Sequence, residues 1–355
     1  MIPLFKVFIP PDVVANANDI LLSGSLNSGK YLSEFETKVR SFIGCERFLA
    51  VNSYNSAAQI VYELIGLKPG DEVIASPMSC LASNQPVAIK RAIMKWTDID
   101  PLVGSLDPDE VRKNITKHTK AILFYQWGGY PGHIDEILQI GKDFGIPVIE
   151  DAIESFGSEY RGRKLGNTGA DYTLYSFQPV RLPTTIDGGG IAFKAVADYE
   201  KAVLIRDYGI DRSSFRDYFG EITETCDISI PGFGATLNEF NAFIGSKSMD
   251  KVPLLLQKQK ENSKNNTEYL TRLGQVSCIG LADSNPNYWI FTFLSSDRDN
   301  LLDFIRKDNI YASKVHLRND YYSLFGSFQD KLTGVKKFSD ETLSIPCGWW
   351  VTSNA

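Results

Sequence analysis

The chain has 355 residues, 43% of them hydrophobic and 23% charged, a globular balance long enough for a large α/β domain and a smaller lobe. A net charge of -6, with no basic run, excludes a nucleic-acid binder, because nothing would draw the surface to phosphate backbones. No apolar run reaches the roughly 20 residues that span a bilayer, and the start MIPLFKVFIPPDVV is not a secretory signal, so no membrane partner is expected.

Short apolar or β-prone runs at 48–51 (FLAV), 72–75 (EVIA), 121–124 (AILF), 147–150 (PVIE) and 171–176 (DYTLYS) read as strands. Helix-like segments at 57–65, 84–91 and 134–144 lie between them, and strands separated in this way predict βαβ units around a mostly parallel sheet. Beyond about residue 230 the texture changes: 238–270 is helix-rich and broken by Pro253, 287–295 (NYWIFTFLS) is strand-like, and 301–308 suits a helix. These predict a large α/β domain over 1–231 and a small C-terminal α+β domain over 232–355. Five scattered cysteines without a C-x-x-C pair predict reduced thiols and a cytoplasmic protein. Three histidines without ligand spacing predict no metal site.

In such a sheet, ligands bind in loops after the strand ends. The first informative loop, Asn52-Ser53-Tyr54-Asn55, leads into a helix, where Ser53 and Asn55 could cap it or hold a phosphate. The second ends a strand in Glu150-Asp151, and an acid there can be a solvated strand end or can pair with a pyridinium nitrogen. In the third, Ser176 could hold a phosphate and Arg181 an anion; the glycines at 188–190 could equally mark a turn in a surface loop. In the fourth, Thr236 or Asn238 caps the next helix.

Taken in order, SGSLNSGKYLSEFE, VNSYNSAAQ, PGDEVIASPMSCLAS, QWGGYPGHIDEI, PVIEDAIESFGSEYRGRKLGNTG, YSFQPVRLPTTIDGGG and PGFGATLNEFNAFIG resemble the DegT/DnrJ/StrS aminotransferases across nearly the whole chain. The resemblance implies a fold-type-I aminotransferase-like large domain, a pyridoxal phosphate (PLP) or pyridoxamine phosphate (PMP) cofactor, a nucleotide-linked sugar as ligand, deoxysugar or polysaccharide metabolism, and a homodimer. It puts Asp151 at the pyridine nitrogen, Ser176 at the phosphate, and Ser53 and Asn55 at the head of the phosphate-binding helix. Trp127, His316 and Arg318 become candidates for sugar or nucleotide binding, though Trp127 also reads as a packed loop aromatic and His316 as a core residue.

The same resemblance sets Arg181 where the family has its catalytic lysine. A Schiff base and a proton shuttle both need a neutral amine, whereas a guanidinium stays protonated and is a poor nucleophile. Four further departures fall in the cofactor contacts. Tyr54 stands for a glycine, Cys80 for a stacking aromatic, Glu154 for a Gln or His, and Gly234 for an asparagine that reaches a partner subunit. The expected function is therefore a nucleotide-sugar protein of this family that is not a normal transaminase, with any PLP or PMP held non-covalently or not at all. The alternatives are a PMP-dependent sugar dehydratase, or an aminotransferase in which the arginine is a variant or engineered residue.

Overall fold

A computed structural model describes residues 1–274 and 276–351. Two N-terminal helices, α1 (Pro11–Leu22) and α2 (Lys30–Ile43), precede a seven-stranded sheet. Its strands are β1 (Phe48–Val51), β2 (Glu72–Ala75), β3 (Ile93–Trp96), β4 (Thr119–Tyr125), β5 (Val148–Asp151), β6 (Tyr172–Ser176) and β7 (Gly189–Phe193). The spatial order is β1-β7-β6-β5-β4-β2-β3. All neighbours run parallel except β7, which is antiparallel to both β1 and β6. Between the strands lie α3 (Tyr54–Leu64), α4 (Leu81–Ile89), α5 (Pro108–Asn114) and α6 (Ile134–Phe144). The expected α/β architecture is thus the observed one, with apolar clusters covering both faces of the sheet.

The glycine run at 188–190 is not a surface turn. Gly189 and Gly190 begin β7, a fully buried strand. A Cβ on Gly189 would lie 2.5 Å from the Ser53 carbonyl oxygen, and one on Gly190 would lie 2.4 Å from the Phe48 ring. Bare backbone is what lets β7 slide beneath the start of α3.

After β7 come α7 (Val196–Ile205), α8 (Glu239–Met249) and α9 (Val252–Thr271). Asn238 caps α8, its side chain accepting from the Asn241 N–H, as the sequence allowed. Glu239 accepts from the Tyr31 and Leu32 N–H groups at 2.8 and 3.2 Å, binding α8 to the start of α2. The helix-rich segment is broken beside Pro253, as expected: α8 ends at Met249, and Pro253 sits in the first turn of α9, where its missing N–H would have no helical partner. A small sheet of Ser277–Cys278, Phe291–Leu294 and Thr342–Ile345, with α10 (Arg298–Lys307), buries its own apolar cluster. Helix α11 (Thr333–Glu341) is tied to the large sheet's side by Asp98, which accepts from the Gly334 and Val335 N–H groups at 2.9 and 2.7 Å. No helix among the described residues is long and apolar enough to cross a membrane.

Candidate functional site

The carboxyl ends of β4, β5 and β6 carry a buried polar cluster. Asp151 closes β5, and one of its oxygens accepts from the Ile153 N–H at 3.1 Å. The other, Oδ2, is buried without a hydrogen bond, as are the Tyr54 and Ser83 hydroxyls. Tyr54 and Ser83 face this carboxylate closely enough to temper its charge, although neither hydroxyl reaches Oδ2 in hydrogen-bond geometry. Burial outweighs them and, with the negative charge of Glu154, raises the Asp151 pKa to about 6.

Glu154 is the hub. The Tyr125 hydroxyl donates to Oε2 at 2.5 Å and the Gly128 N–H donates at 3.0 Å. Oε1 meets His316 Nε2 at 2.8 Å and Arg181 Nη2 at 3.4 Å. Burial alone would raise this pKa, but His316 and Arg181 hold it below the ordinary glutamate value. Glu154 is then a carboxylate, which only accepts, so His316 Nε2 carries the hydrogen it shares with Oε1.

The loop bearing Glu154 is pinned by Asn287, whose side-chain amide donates to the Glu154 and Phe156 carbonyls at 2.9 and 3.0 Å. Gly128 and Gly129 have φ of 58° and 99°, and a Cβ on Gly129 would lie 1.9 Å from Asn287 Oδ1. The glycine pair of QWGGYP therefore lets the Gly128 N–H reach Glu154.

Arg181 projects from the loop between β6 and β7. Its guanidinium carbon lies 4.2 Å from the Trp289 ring centroid, a cation–π contact. Its side chain is 6% exposed, and Nε and Nη1 are buried without an acceptor among the described residues.

The candidate residues separate in space. Arg181, Glu154, Cys80 and His316 meet: the ligand atoms of Cys80, Glu154 and His316 lie within 4.8 Å of one another. A cation at those three would sit beside a guanidinium bonded to the same Glu154 oxygen, and burial with the Glu154 charge pushes the Cys80 thiol up to about 11. That donor set does not suit a metal. Trp127 is fully buried, stacks edge-on to His316 and Phe338, and donates to Thr292 Oγ1 at 3.4 Å, so it packs the floor.

Ser53 caps α3 by accepting from the Ser56 N–H at 3.1 Å, while Asn55 is exposed. Ser176 is buried and accepts from the Gln178 N–H at 3.4 Å. Gly234 lies under the Tyr208 ring, whose hydroxyl would be 2.4 Å from an added Cβ. Arg318 turns to Asp320, with Nε–Oδ1 and Nη2–Oδ2 contacts of 3.0 and 2.6 Å, and stacks on Phe328. Its neighbour Asn319 donates to the Pro77 and Ser79 carbonyls at 3.2 and 2.8 Å, which draws the His316 segment against the loop that carries Cys80. Tyr125 and Trp289 carry much of the cluster without having been singled out in the sequence. Tyr125 lies at the end of a recognisable strand, and the glycine pair after it was the available signal.

A mostly parallel sheet with polar residues at its strand ends, a buried carboxylate closing β5 and a capped helix after β1 defines an α/β protein with its candidate ligand site at the carboxyl ends of the strands. The chain belongs to the DegT/DnrJ/EryC1/StrS aminotransferase family, whose sequence profile matches residues 9–354. It is 25% identical to a UDP-4-amino-4-deoxy-L-arabinose–oxoglutarate aminotransferase of Shewanella sediminis, covering 97% of this chain and 92% of that protein. It is 27% identical to a UDP-4-amino-4,6-dideoxy-N-acetyl-beta-L-altrosamine transaminase of Campylobacter jejuni, covering 91% and 86%. The crystal structure of the sugar aminotransferase CalS13 from Micromonospora echinospora superposes with a TM-score of 0.92 at 29% identity, covering 100% of this chain and 96% of that one.

These geometries test whether a pyridoxal cofactor suits the site. The free Asp151 Oδ2 fits a pyridinium N–H. One group does not fit a cofactor held as a Schiff base: the cation beside Glu154 is an arginine, which forms none. The residues present do not suit pyridoxal phosphate joined to the protein.

Proposed function

We propose that this chain binds a nucleotide-linked sugar at the strand ends and does not transaminate it through a lysine-bound cofactor. One observation carries the reading. Arg181, which the family resemblance aligns with the catalytic lysine, is fixed between Glu154 and the Trp289 ring, with no neutral amine to offer. The sugar-nucleotide part rests on membership of the family and on relatives whose names specify UDP-linked sugars. A homodimer in the cytoplasm completes the reading, from the resemblance and from five cysteines that are all unpaired. Sedimentation velocity reads the oligomeric state.

The test combines calorimetric titration of UDP-sugars with absorbance after incubation in PLP and dialysis. The expected result is sugar-nucleotide binding with no retained visible absorbance and no amino transfer from glutamate. PLP found by mass spectrometry on any lysine of the purified protein would overturn the proposal. The unpartnered Asp151 oxygen favours a second reading, non-covalent PMP in a sugar dehydratase. Retention of PMP together with turnover of a keto-sugar nucleotide would select it over the first.

A further inference from the structure

The polar cluster has more donors than acceptors. Glu154, its central acceptor, already receives the Tyr125 hydroxyl, the Gly128 N–H, His316 Nε2 and Arg181 Nη2. A carboxylate offers about four lone-pair positions, so Glu154 has little left to give. Arg181 is in the opposite state. It brings five N–H bonds in a rigid plane, and among the described residues the one side-chain acceptor it meets is Glu154 at 3.4 Å, at the long limit for such a bond. Its Nε and Nη1 are buried and reach no acceptor.

The surroundings hold the guanidinium in this state. Trp289 covers it at 4.2 Å, and that ring is itself fixed by the bond from its Nε1 to the Val180 carbonyl at 2.8 Å and by stacking on Phe5 at 4.6 Å. The Arg181 N–H is held in a turn by the Gln178 carbonyl at 2.9 Å. A buried cation with unsatisfied donors, held by its neighbours against turning toward solvent, is costly unless a ligand supplies the acceptors. An oxyanion does so best, since it brings lone pairs and negative charge but no further hydrogens.

We infer that Arg181 is the anion receptor of this site and takes an oxyanion of the ligand, either a sugar carboxylate or a phosphate oxygen. The inference rests on the reading that the site takes a nucleotide-linked sugar, and it assigns to Arg181 a binding role. Trp289 and Glu154 are its positioning residues: one sets the plane of the guanidinium and the other anchors one nitrogen.

Calorimetric titration of UDP, UDP-glucose and UDP-glucuronate into wild type, Arg181→Gln and Arg181→Lys tests it, with circular dichroism to establish that each variant is folded. A charge-assisted contact of this kind corresponds to about tenfold or more in affinity. If the ligand's carboxylate is held, wild type binds UDP-glucuronate about tenfold more tightly than UDP-glucose. Arg181→Gln removes that difference, and Arg181→Lys restores part of it. If a phosphate oxygen is held, Arg181→Gln weakens all three nucleotides alike. Folded Arg181→Gln protein that binds all three as wild type does would overturn the inference. Should wild type bind none of them, the sugar-nucleotide reading fails, and titration of malonate and inorganic phosphate decides the inference by itself. Binding of either that is lost in Arg181→Gln supports it, and equal or absent binding in both proteins overturns it.

Discussion

Replacing Glu154 with alanine is expected to lower the free energy of unfolding by about 3–5 kcal/mol, the range for removing one partner of a buried ion pair. The substitution strands four groups at once: the Arg181 guanidinium, the Tyr125 hydroxyl, the Gly128 N–H and His316 Nε2. Arg181 is the most costly, because its other two side-chain nitrogens are already without partners and its side chain is 6% exposed. Glu154→Gln keeps the shape and one acceptor oxygen, so its loss is expected to be about 2 kcal/mol. Urea denaturation of the three proteins measures both numbers. An alanine variant within about 1 kcal/mol of wild type would mean that Arg181 and His316 find other partners once the carboxylate is gone.

Asp151→Asn is expected to act in the other direction, and its effect depends on pH. The folded pKa of about 6 lies above the ordinary value of 3.8, so the folded state holds this proton more tightly than the unfolded chain does. The stability gained from that proton is complete below about pH 4 and is lost as pH rises through 6. At pH 8 wild type keeps a buried charge that asparagine lacks. The shift corresponds to about 3 kcal/mol at most, and a gain of roughly 1–3 kcal/mol is expected for the variant. Near pH 4 the two proteins should be equally stable. Glu154 has the opposite linkage, since its lowered pKa gives stability that is present above its ordinary value and lost as pH falls. Comparing variant with wild type at each pH cancels that contribution. Asp151→Asn protein less stable than wild type at pH 8 would show that the free oxygen is better solvated than its burial implies.

Asp151 was visible in the sequence, because an apolar strand that ends in acids is a local pattern, whereas Glu154, three residues beyond the strand, was marked only by the family resemblance. Helix α6 was legible to its ends, Ile134–Phe144, since its apolar residues recur at helical spacing between a turn and a glycine. Strand β7 was hidden for the same kind of reason. Its opening glycines read as a turn by composition, and only the packing of Ser53 and Phe48 against them explains why a strand there needs no side chains. Trp289, read only as part of a strand-like run, could not be placed at the cluster from the sequence. It reaches the cluster through a bond to Val180 that spans 109 residues, and neither end of such a contact leaves a short-range signature. Arg318, which the resemblance offered for sugar or nucleotide binding, is paired two positions away with Asp320, a contact that no local pattern in the sequence announces.

The bond from Asn319 to Pro77 spans 242 residues, and that from His316 to Glu154 spans 162, while Tyr125 and Arg181 lie only 29 and 27 positions from Glu154. The cluster is thus made of an inner half, closed by short loops, and an outer half that needs most of the chain. Loop-closure entropy grows with the logarithm of length, so the inner contacts are the easier to form and the histidine is added late. During synthesis the carboxylate and its arginine can meet long before His316 leaves the ribosome. The nascent chain can therefore carry the paired carboxylate and arginine while the segment 182–315 is still being made, and the histidine side of the site is shaped only when the C-terminal segment folds back.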